Sequence, residues 1–107
     1  MKQPNWKRWE VILLVDMYFR LINHPELVST ECKKLSQFLR SSNLDKALED
    51  NTYRNAEGVQ MKYQNIRHLV EGKGLSAHSR LDEEIVRLHE ENITEFECEL
   101  STIINCK

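Results

Sequence analysis

The sequence predicts an all-α fold: a compact bundle of four to five helices, helix-turn-helix-like, with a long acidic C-terminal helix. Three observations predict it. Helix breakers are scarce: the two prolines are Pro4 and Pro25, and the three glycines fall between positions 58 and 74. Leu, Glu and Lys, all good helix formers, are frequent. Apolar residues recur at helical spacing in four stretches. A chain of 107 residues supports one domain with a single modest core.

The first helix is expected over 6–22, "WKRWEVILLVDMYFRLI". Asn5 is its candidate cap, and Glu10 lies near its positive end. Apolar residues cover most of its circumference, leaving Asp16 and Arg20 as a thin polar stripe at i,i+4 spacing. So apolar a helix is expected at the centre of the bundle. His24-Pro25 ends it.

The second helix is expected over 29–41, capped by Ser29 or Thr30. Cys32, Leu35, Phe38 and Leu39 form its inner face, with Lys33, Lys34 and Arg40 off that face. Residues 44–49 can hold one short helical turn between loop-like ends. Asn55 caps a third helix over about 56–70. Val59, Tyr63, Ile66 and Val70 make its buried stripe, and Gln60, Gln64 and Arg67 make a second stripe facing another way. "EGKGLSAHS" reads as a loop, and Ser79 with Asp82 resembles a capping box. The last segment, 80–104, is one long helix or two meeting near Asn92. Unbroken, it would span about 37 Å at the usual rise of 1.5 Å per residue.

Net charge is −2, which by itself argues against a nucleic-acid binder, but the charge is unevenly spread. Residues 1–51 carry +1, residues 52–80 carry +3 and residues 81–107 carry −6. The plain reading of the acidic end is a solvated helix face. Cys32, Cys98 and Cys106 are odd in number and contain no Cys-x-x-Cys, which indicates neither a disulfide framework nor a zinc knuckle. "VILLVDMYF" is too short to span a bilayer. No short apolar leader follows Met1. A cytoplasmic protein with no membrane contact is the expectation.

Catalytic chemistry finds little support. His24, His68, His78 and His89 lack metal-ligand spacing, and Gly72-x-Gly74 lacks both the third glycine and a preceding strand. Adjacent carboxylates such as Asp82-Glu83-Glu84 diverge around a helix. No enzyme activity, metal or cofactor is expected. Trp6 and Trp9, at i,i+3, are read as packing the start of the first helix.

The third helix is the candidate reader of DNA. Gln pairs with adenine and Arg with guanine through two hydrogen bonds, and a recognition helix reads with its N-terminal part. Arg54, Asn55, Gln60 and Gln64 lie there or close by. Arg67, His68 and Lys73 are candidates for phosphate contact. Gly58 permits close approach of another backbone. The plain alternative is an amphipathic helix with a wet face.

"YRNAEGVQMKYQNIRHL", with the first helix before it and "GKGLS" and "LDEEI" after it, resembles a small helical module. That module precedes HNH-type nuclease domains in bacterial restriction endonucleases, including modification-dependent ones, and occurs in related phage-defence proteins. Arg54, Asn55, Gly58, Val59, Met61, Lys62 and Asn65 match the family pattern, while Glu57 replaces its usual Asn. The match spans about residues 6–90. It implies a non-catalytic module that binds DNA or senses a target in a restriction or defence system. It adds Lys62 to the DNA-binding candidates. In that family the nuclease's His-Asn-His site lies downstream and has no counterpart here. Double-stranded DNA, modified or unmodified, is thus the first expected partner. The second is another copy, or a partner protein, held through the C-terminal helix, whose apolar positions run from Leu81 to Ile103.

Overall fold

The computed structural model describes residues 5–72 and 79–106, with only the backbone of Cys106. Its regular structure is helical throughout: α1 (Arg8–Arg20), α2 (Val28–Ser41), α3 (Leu44–Glu49), α4 (Ala56–Glu71), α5 (Arg80–Glu91) and α6 (Ile93–Cys106). A 3₁₀ turn over Pro25–Leu27 leads into α2. The all-α expectation holds. Among the described residues there are six α-helices rather than four or five, because the 44–49 turn is a helix and the C-terminal segment is two.

α1 is the central element. Val11, Ile12, Leu14, Val15, Met17 and Tyr18 are buried in it, and it packs on α4, α5 and α6. Asp16 and Arg20 form the expected pair at 2.8 Å. α2 lies against α4, and α3 packs on α2. Cys32 is buried, and loss of water pushes its thiol up to about 11, with Glu31 adding to the shift. It is therefore a core thiol rather than a reactive one.

Two expected caps are replaced. The helix-start position of α1 is Lys7, whose N–H donates to Glu10 Oε1 at 2.8 Å, while the Asn5 carbonyl accepts from Arg54 at 3.0 Å. α2 begins at Val28 directly out of the 3₁₀ turn, so Ser29 and Thr30 lie inside the helix. Pro25 at the start of that turn sets its backbone for helix. The other caps follow the sequence. Asn55 Oδ1 accepts the Gly58 N–H at 2.8 Å. Ser79 and Asp82 form the reciprocal box, at 3.2 and 3.0 Å. A Cβ on Gly58 would stand 3.0 Å from Asn55 Oδ1. Within the fold, the close approach this glycine permits is by the cap side chain. Gly72 ends α4 in the left-handed conformation, φ 69°.

The C-terminal segment breaks at Asn92. Its N–H closes α5 on the Leu88 carbonyl, while its Oδ1 accepts from Glu95 N–H at 3.2 Å and opens α6. An unbroken helix of about 37 Å would nearly match the longest dimension of the fold, 38 Å. The break folds α6 back across α5 and α1. Ile85, Val86 and Phe96 enter the common core. Arg8 clasps Glu99 through two hydrogen bonds of 2.9 and 2.8 Å. That hydrogen bond, and then the Arg8 charge, hold the Glu99 carboxyl below its usual range.

Candidate functional site

The turn before α4 is built inward. Arg40 of α2 donates to the carbonyls of Ala47, Asn51 and Tyr53. Ser36 Oγ donates to the Arg54 carbonyl at 2.6 Å. These bonds hold Arg54 at φ 47°, a left-handed conformation unusual for a side-chain-bearing residue. The Arg54 side chain turns into the protein and is 2% exposed. Its Nε and Nη2 meet the two carboxylate oxygens of Glu10, each at 3.1 Å. Its guanidinium lies 4.3 Å from the Trp6 ring centre and 5.0 Å from that of Tyr53. Planar pairing with a carboxylate and stacking on aromatic faces both suit arginine.

Lys62 takes the same inward course one helix away. Its Nζ donates to Asp82 Oδ2 at 2.8 Å and sits 5.8 Å from the Trp6 ring centre. Asp82 is fully buried, and its other oxygen, Oδ1, has no hydrogen-bond partner. Trp6 therefore lies between two cations, each neutralised by a carboxylate on another element. The cluster ties the start of α1 to α4 and to the first turn of α5.

This placement gives three of the DNA-binding candidates partners within the fold. Arg54 is buried against Glu10, and Lys62 is engaged by Asp82. Asn55 spends its side-chain oxygen on the α4 cap. The positive balance of residues 52–80 also shrinks. Arg54 and Lys62 are neutralised by Glu10 and Asp82 from outside that segment, and Arg67 pairs with Glu71 at 3.0 Å. Lys73 lies outside the described residues.

Gln60, Gln64 and Arg67 fare differently. They remain at the surface together and line one groove of about 420 Å³. Its opposite wall is the corner where α1 gives way to the 3₁₀ turn, with Leu21, Ile22 and Pro25. Tyr18 and Tyr63 lie at its base, their ring centres 5.7 Å apart. Burial pushes both phenols up, with Glu71 adding to the effect at Tyr18 and Tyr18 to that at Tyr63. Tyr18 donates to Glu71 Oε2 at 3.4 Å, and Arg67 donates to the same oxygen. His68 is half-buried, and its Nδ1 is buried without a hydrogen-bond partner.

The C-terminal half of α6 has two apolar grooves beside it, both lined by Ile103. One, of about 290 Å³, also has Leu13, Met17, Leu35, Phe38 and the exposed Ile104.

Among the described residues no cluster of three or more His, Cys, Asp or Glu could hold a metal ion. No helix there is long and apolar enough to cross a membrane. The partners of Arg54 and Lys62 escaped the sequence reading. One signal was present: Glu10 is a carboxylate inside the otherwise apolar run "WEVILLV", and such a group needs a cationic partner when buried. Comparison with family models, characterised proteins and solved structures finds no match to this chain.

Proposed function

We propose that the chain is a non-catalytic DNA-recognition module of a bacterial restriction or anti-phage defence protein, working through the outer face of α4. The observation that carries this reading is that Gln60, Gln64 and Arg67, three side chains suited to base recognition, share one accessible groove. The resemblance of residues 53–69 to the module of restriction endonucleases supplies the setting. Arg54, Asn55 and Lys62 then belong to the frame that presents α4, and Gln60, Gln64, Arg67 and His68 to the reading surface.

The pairing of its cations makes this a weakly electrostatic binder. A shift assay on unmodified and cytosine-modified duplexes, repeated across salt concentrations, tests it. A log–log salt slope of roughly 1–3 is expected, at about 0.9 per phosphate contacted. Gln60→Ala with Arg67→Ala should weaken binding about ten-fold or more, since one good paired contact is worth roughly 1–3 kcal/mol. The absence of binding to either duplex at low salt would sink the reading.

A second reading, a protein-docking or dimerisation module, is favoured by the apolar grooves beside Ile103 and the exposed Ile104. Light scattering decides it. Concentration-dependent dimer formation that Ile104→Glu abolishes supports this reading, and a strict monomer with no partner bound refutes it.

A further inference from the structure

The groove beside α4 is concave, a shape that receives a base standing out of its stack more readily than the edge of a paired one. Its volume, about 420 Å³, lies in the range of small-molecule sites. We propose that it accepts a single nucleobase whose Watson–Crick edge sets an exocyclic amino group beside a ring-nitrogen acceptor, adenine or cytosine. This deepens the DNA-binding reading of the same face and rests on it.

The lining chemistry selects that ligand class. Gln60 and Gln64, one helical turn apart, each carry a carboxamide with a donor and an acceptor side by side. That pattern can pair with the edge of any base, and on adenine or cytosine it meets an amino donor beside a ring-nitrogen acceptor. Ile22, 54% exposed, and Pro25 supply an apolar wall for the face of a ring. Glu26 belongs to the same groove, as does Glu71, whose Oε2 is already held by Tyr18 and Arg67. Carboxylates repel a phosphate but accept from an amino group, as acidic side chains do from cytosine. The acidity that weakens this face for a DNA backbone therefore favours an amino-bearing base. Thymine, with an acceptor oxygen in that place, is disfavoured.

Such a base reaches the groove as a free nucleoside or by leaving the stack of a strand, which is easiest where the base is unpaired. The test uses the full chain and four probes: a matched duplex, the same duplex with one unpaired adenine, the same with one unpaired thymine, and free adenosine. The unpaired adenine should raise affinity over the matched duplex about ten-fold or more, with shifts in the side-chain amide resonances of Gln60 and Gln64. Unpaired thymine should not. Gln60→Ala with Gln64→Ala should bring the advantage within about two-fold while the helical circular dichroism and melting are kept.

Tight binding of the unpaired adenine with weak binding of adenosine assigns a strand as the source. Equal binding assigns the free nucleoside. Both uphold the site. An equal gain with thymine, or an adenine advantage that survives loss of both glutamines, overturns it. Duplex binding that depends on Gln60 and Arg67 without any gain from an unpaired base overturns the base site and leaves the DNA reading standing. Adenosine binding without binding of any duplex does the reverse.

Discussion

Arg54→Met is expected to destabilise the domain by roughly 3–5 kcal/mol, because it strands the Glu10 carboxylate in the core. Glu10 is 1% exposed, and both of its oxygens face the Arg54 guanidinium. A single domain has a total stability of only about 5–15 kcal/mol, and a domain of this size loses roughly 4–8 °C of melting temperature per kcal/mol. The variant should therefore melt at least about 12 °C lower. Glu10→Leu combined with Arg54→Met should recover most of the loss, since a well-packed apolar pair often replaces a buried ion pair at little cost. Arg54→Gly relieves a left-handed conformation costing about 1 kcal/mol but also empties the space beside Trp6 and Tyr53, a loss of roughly 2–5 kcal/mol, so it should be no less harmful than Arg54→Met. A melting shift under about 5 °C for Arg54→Met would refute the keystone role assigned to the pair.

Phe96→Ala is expected to release α6 rather than weaken the domain evenly. Phe96 is the only buried side chain among those described in α6, at 1% exposure. It meets His89 edge-on at 4.8 Å, and His89 stacks flat on Phe19 at 3.9 Å. Truncating a buried Phe costs roughly 3–5 kcal/mol. Little else holds α6: Leu100 and Ile103 are half-buried, and the Arg8–Glu99 clasp is solvent-exposed, worth at most about 1 kcal/mol. Hydrogen exchange should show the α6 amides losing protection while α1, α2 and α4 keep theirs. Retained protection in α6, or equal loss in every helix, would refute this.

The helices were legible because burial along a helix leaves a periodic trace. Val59, Tyr63 and Ile66 are buried as their spacing indicates. Local caps were legible for the same reason: Asn55 and Ser79 find their partners within three residues. Asn92 was visible as a break point. The choice between one helix and two depends on where Phe96 must go, which is a matter of packing. The site was less legible. An arginine next to a turn looks the same whether it faces a phosphate or a carboxylate 44 residues away. Arg54 and Lys62 are held by long-range ion pairs, and these leave no period in the chain. Gln60, Gln64 and Arg67 could be grouped because they share one helix. That they form the wall of a recess depends on the α1 corner opposite, which their spacing does not encode.

The central position of α1 also bears on how the chain is made. Its apolar faces are covered by α4, α5 and α6, all encoded after residue 55. Phe96 and Glu99 are added only after α1 to α5. At synthesis rates of about 5–20 residues per second, "VILLVDMYF" waits roughly 5–20 s for its last covering helix. During that interval it is an exposed apolar segment of a nascent chain, of the kind chaperones hold. Folding of this small domain is therefore expected to finish only once α6 has been made, with the nascent intermediate rather than the mature fold as its aggregation-prone species.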